Sequence, residues 1–173
     1  MSREIKVHFL DEGLVVTSWD NLLLNRWYGA PDVDRIQRLW DVQAAFRDAL
    51  PDRRQAVISI FESSAGLRMS EPARRRATQL AADMEDSVIC LGQIVRGSGF
   101  FSSVTRSIVS GVMLLSRASY PSQVFAEVEP CAKWMVDPWR GQTGALEEPE
   151  LLRRARALDA AAGAGGTATA RTG

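Results

Sequence analysis

Gln55-Ala56-Val57-Ile58-Ser59-Ile60-Phe61, the run QAVISIF at positions 55–61, decides how the rest of the chain is read. It is short, apolar and β-branched, with no regular polar alternation. That composition suits a strand covered on both faces, the kind found in parallel sheets between helices. On its C-terminal side comes FESSAGL (61–67), then Ser70-Glu71-Pro72, an N-cap with proline in the first helical turn. Ala73, Ala77, Leu80, Ala81 and Met84 follow as one apolar stripe of an amphipathic helix. On its N-terminal side, Asp32 offers an N-cap, and Ile36, Leu39, Trp40, Phe46 and Leu50 recur at helical spacing until Pro51. Residues 55–61 are therefore predicted to lie between two helices.

The first thirty residues have a different period. Ile5, Val7 and Phe9 alternate with Lys6 and His8, Asp11-Glu12-Gly13 signals a hairpin, and Leu14–Trp19 is the return strand. Asp20-Asn21 is a second turn before Leu22–Tyr28, which completes an antiparallel meander. Downstream, 87–95 (SVICLGQIV) and 122–128 (SQVFAEV) read as further strands, separated by Gly97-Ser98-Gly99 and a helix from about Phe100 to Arg117. That helix is expected to bury Phe101, Val104, Ile108, Val112 and Leu115. Val57, Ile58, Ile60, Ile89 and Leu91 are expected at the centre of the core. Glu129-Pro130 starts a short helix stopped by Asp137-Pro138, after which Trp139 must find a groove or stay exposed. The expected fold is α/β, a mixed sheet with an antiparallel N-terminal hairpin or meander, central parallel strands and packed helices. Residues 1–141 form this domain. Residues 142–158 hold a short C-terminal helix, and 159–173 (DAAAGAGGTATARTG) are expected to be disordered for want of apolar area.

A chain of 173 residues, 46% hydrophobic and 24% charged, fits one ordinary globular domain. Lys and Arg balance Asp and Glu at 21 each, so no net field favours nucleic acid or an anionic membrane. No apolar run is long enough to span a bilayer, no secretory segment is evident, and Cys90 and Cys131 form no paired motif. A cytoplasmic location with reduced thiols is expected.

Residues for catalysis are scarce. The one histidine, His8, reads as an exposed strand residue, and Cys90 as a small core residue. No metal-ligand spacing occurs, and GSGF (97–100) lacks the Lys-Ser/Thr of a phosphate loop. No cofactor, metal or catalytic residue is expected. FESSAGL stands out by position, at the carboxyl end of a parallel strand and before a helix N-terminus, where open α/β sheets place their sites. A phosphate there would meet the helix dipole and the basic edge of Arg68 and Arg74–Arg76. Ser and Gly are also ordinary turn formers.

On these residues the chain resembles the STAS superfamily, the fold of sporulation anti-sigma-factor antagonists. The resemblance covers about Ile5 to Trp134. It is carried by the opening hairpin, NLLLNRWYGAPDVDRIQRL (21–39), AVISIF (56–61) and SQVFAEVEPCAKWM (122–135). Phosphoregulated members carry Asp-Ser-Ser/Thr-Gly-Leu after the corresponding strand. Here Glu62 stands in place of Asp, and Ala65 separates Ser63-Ser64 from Gly66-Leu67. The resemblance implies a non-enzymatic regulatory module with Ser63 and Ser64 as phosphoacceptor candidates. It would bind its partner through Glu62, Ser63, Ser64, Gly66, Arg68, Arg74 and Arg75. The implied partner is a regulatory kinase or another signalling protein, with a homodimer as a further option. Two other classes are carried beside it: a small-molecule or lipid binder using an apolar cleft near Phe100 and Phe101, and a hydrolase or transferase.

Overall fold

In the computed structural model, which describes residues 4–62 and 69–169, the chain is an α/β sandwich around one mixed six-stranded sheet. Strands β1 (Lys6–Leu10), β2 (Leu14–Trp19) and β3 (Leu22–Trp27) run antiparallel, as the alternating N-terminal segment dictates. Asp11 Oδ1 closes the first hairpin by accepting from the amides of Gly13 and Leu14, both at 2.7 Å. The second hairpin turns at Asp20, whose φ of 52° is of the left-handed kind that Asp tolerates.

From β3 onward the connections are helical and the pairing is parallel. Helix α1 (Val33–Asp48) leads to β4 (Gln55–Phe61), α2 (Glu71–Asp83) to β5 (Val88–Val95), and α3 (Phe100–Ser116) to β6 (Ser122–Phe125). The strands lie in chain order, β1 to β6. Right-handed crossovers that step in one direction put every crossover helix on the same face. Ile36 and Phe46 of α1, Ala73 and Leu80 of α2, and Val109 of α3 accordingly share one core. The opposite face is covered by α4 (Val128–Trp139) and α5 (Glu148–Thr169), which return across the sheet after its last strand. The predicted caps are in place: Asp32 accepts from the Arg35 amide at 2.8 Å and Ser70 from the Ala73 amide at 3.3 Å.

QAVISIF occupies its predicted span, with Val57 facing the first core and Ile58 and Ile60 the second. Ile89 is buried with them, whereas Leu91 is half-buried. Four segments differ from the expectation. His8 is the extra residue of a β-bulge between Val7 and Phe9, so both His8 and Phe9 turn toward α1. β6 ends at Phe125, because Val128 already belongs to α4. Pro138 sits inside the last turn of α4 and does not stop it, and Trp139 is fully buried. The C-terminal helix continues to Thr169, past the expected boundary at residue 158.

Gly92 shows how tightly α4 lies on β5. A β-carbon there would overlap Cys131 Sγ and stand 3.3 Å from Met135 Sδ. Gly92→Ala is therefore expected to cost about 1–3 kcal/mol through overpacking. Chemical denaturation of Gly92→Ala, with and without Cys131→Ala, checks this: the second substitution removes the clashing sulfur and should recover much of the loss.

Candidate functional site

Glu62 closes β4, and its side chain is only 15% exposed. Its Oε1 lies 2.6 Å from Arg26 Nη2 and 2.8 Å from Arg96 Nη1. Both arginines also pair with Asp159 of α5, Arg26 through Nη1 at 2.9 Å and Arg96 through Nη2. Two cations and two anions thus form a closed, partly buried square that ties β3, β4 and β5 to α5. Burial works to lower the pKa of Arg96, but the hydrogen bonds and charges of Asp159 and Glu62 outweigh it and raise the value. The neighbouring Tyr28 hydroxyl donates to the Ala162 carbonyl at 3.0 Å, and burial raises its pKa.

Of the partner-binding residues expected from the sequence, Glu62 is the one this network holds, its carboxylate engaged by two arginines. Ser63, Ser64, Gly66 and Arg68 lie outside the described residues. Arg74 and Arg75 stand on α2 with side chains 44% and 67% exposed, each 3.7 Å from Glu71. His8 is exposed and hydrogen-bonds Ser18 Oγ at 2.7 Å through Nε2; burial, then Lys6, lowers its pKa. Cys90 and Cys131 are buried, and desolvation pushes each thiol up to about 12.

Helix α3 is turned about its axis relative to the expectation. Ser102, Thr105, Val109 and Val112 face inward, while Val104 and Ile108 are half-buried and Leu115 is 63% exposed. Leu114 is 80% exposed. The inward serine is tolerable because Ser102 Oγ returns a hydrogen bond to the Gly99 carbonyl at 2.9 Å. Phe101, also expected inside, has a side chain outside the described residues. Apolar residues occupy more than one side of α3, so periodicity could not choose between its faces. Between α3 and α2 lies an open groove of about 480 Å³, lined by Val104, Ile108, Gly111 and Leu115, with Ser103, Ser107 and Arg74 at its edges.

A second feature lies beneath the helices. Between the sheet and α1–α3 is a partly open cavity of about 120 Å³, apolar among the described residues except for Asn25, Gln43, Ser59, Gln93 and the Tyr120 hydroxyl. Asn25 is fully buried; its Oδ1 accepts from Trp27 Nε1 at 2.9 Å, and its Nδ2 has no partner. An unpaired buried donor of this kind costs about 1–3 kcal/mol. The apolar cleft expected beside Phe100 and Phe101 depends on side chains outside the described residues. Among the described residues no group of three His, Cys, Asp or Glu side chains could hold a metal ion, and no helix is long and apolar enough to cross a membrane.

Compared with family models, curated proteins and solved structures, the chain matches none of them.

Proposed function

We propose that the chain is a non-enzymatic regulatory module of the STAS type that binds a signalling protein, such as a regulatory kinase, across α2 and α3. The observation that carries this reading is the outward face of α3. Leu114 and Leu115 stand 80% and 63% exposed on a helix whose one charged residue is Arg106. Leaving two leucines in water forfeits roughly 1.5–3 kcal/mol each relative to burial. Adjacent exposed leucines at the end of a groove lined by the half-buried Val104 and Ile108 are characteristic of an interaction surface. Arg74 and Arg75 supply a basic border along α2 and favour a partner carrying acidic groups around an apolar centre.

Ser63 and Ser64 precede the Ser70 cap of α2 in the chain. A phosphate on either serine would add a charge of about −1.5 to −2 to the stretch of chain that precedes the basic border. It would neutralise that border and weaken attraction to an acidic partner. A cytoplasmic location accords with this role.

The test is Leu114→Glu combined with Leu115→Glu. Because both side chains are solvent-exposed, the melting temperature should stay within about a degree or two of wild type. Affinity for the natural partner should fall at least tenfold, while Lys133→Glu on the far face leaves it unchanged. A double variant that binds its partner like wild type excludes this surface. A dimer-to-monomer change in sedimentation would show that the face receives a second copy of the chain and would replace the signalling partner.

A further inference from the structure

Three polar groups of the cavity are in register. Asn25 of β3 pairs opposite Ser59 of β4, and Ser59 opposite Gln93 of β5. Side chains in one register position of neighbouring strands lie on the same face, so the three form a row across the centre of the sheet. Every other position nearby on that face is apolar: Leu23, Val57, Leu91, Trp27, Phe61 and Val95. Packing alone does not call for an amide, a hydroxyl and a second amide in the middle of such a face.

We propose that this cavity is a binding site for a small uncharged molecule with a flat ring or short alkyl body and a carbonyl or hydroxyl acceptor. The site is independent of the α2–α3 surface. Its size is that of a single ring: about 120 Å³, against roughly 150 Å³ for an engineered apolar cavity that takes benzene. None of the described lining residues is charged, so a carboxylate or ammonium would enter without a counter-ion, and the ligand is neutral. Among the described lining residues, the Nδ2 of Asn25 is a fully buried donor with no partner, so the ligand brings an acceptor. Gln93 is oriented by its Nε2, which donates to Ser122 Oγ at 3.1 Å. Trp27 and Phe61, both lining the cavity, stack parallel with centroids 6.4 Å apart and give it an aromatic surface. Met69, Met84 and Met113 line it elsewhere and can adjust to a ligand's outline.

The experiment titrates the full chain with cyclohexanone, phenol and benzene while the Trp27 indole and Asn25 side-chain amide signals are followed by nitrogen–proton correlation spectroscopy. Cyclohexanone and phenol should bind saturably, at least tenfold tighter than benzene, and should shift both signals. Asn25→Leu should lose that tenfold preference and keep benzene binding. If Asn25→Leu does not fold, Ser59→Ala, which removes the neighbouring hydroxyl, should narrow the preference instead. Equal affinity for all three probes would reduce the cavity to an apolar void. An absence of saturable shifts, or shifts confined to other residues, would mean that the row is satisfied without a ligand. Either result overturns the proposal.

Discussion

Ending the chain at Leu158 should lower the free energy of unfolding by about 3 kcal/mol or more. The truncation removes Asp159 and leaves Arg26 and Arg96 sharing Glu62 alone, with side chains only 14% and 24% exposed. Taking one partner from a buried ion pair costs roughly 3–5 kcal/mol, because the remaining charge stays desolvated. Residual solvent access places the electrostatic part at the lower end of that range. Loss of the fully buried Ala162, and of its carbonyl as acceptor for Tyr28, adds to it. Denaturant unfolding of the truncated chain beside Asp159→Ala and Asp159→Asn would apportion the effect. Both substitutions should destabilise, with Asn milder because its amide oxygen still accepts. An unchanged transition midpoint on truncation would mean that the end of α5 does not dock, as a disordered tail would not.

Trp139→Ala should cost about 3–5 kcal/mol, the usual loss for emptying a packed aromatic site. Trp139 ends α4 at 0% exposure, in the same core as Met135, Leu151 and Leu158. Its indole Nε1 has no hydrogen-bond partner, so its contribution comes from apolar contact. Trp139→Phe should therefore keep most of the stability, losing volume but also discarding an unsatisfied donor. Ile58→Ala, at the centre of the sheet, belongs to the same class and should cost about 2–5 kcal/mol. A loss below half a kilocalorie at either site, measured by urea denaturation, would contradict the packing described for that core.

What the sequence discloses of this fold depends on how local the determining forces are. Residues 55–61 determine their own conformation, since a β-branched run between two capped helices has few alternatives, and the strand is found at those positions. The change of period at Asp32 likewise marks where antiparallel pairing gives way to crossovers. The C-terminal segment misleads because its stabilising partners are distant. Gly163 and Gly165 lower helix propensity, yet their lack of side chains permits close approach to the sheet. A β-carbon at Gly163 would sit 2.8 Å from Arg26 Nη1, and one at Gly165 2.9 Å from Leu10 Cδ1. Composition thus resembles disorder where the residues serve packing.

The candidate sites divide in the same way. FESSAGL is prominent in the sequence, but Glu62 is absorbed into an ion network whose other members are Arg26, Arg96 and Asp159, far away in the chain. The outward face of α3 is concealed by its abundance of apolar residues, which leaves the inward side undetermined until Ser102 and Thr105 are seen beneath it. Asn25, Ser59 and Gln93 are visible as polar interruptions of three largely apolar strands. Only the register reveals them as one row.

The central claim is that the exposed side of α3 meets a partner protein, and a photo-activated cross-linker at position 115 tests it most directly. Introduced there in cells of the native host, it should join the chain to one discrete protein. The same probe at Lys133 should not, and adding Leu114→Glu should abolish the product. No cross-linked product at position 115, or equal products at 115 and 133, would contradict the claim.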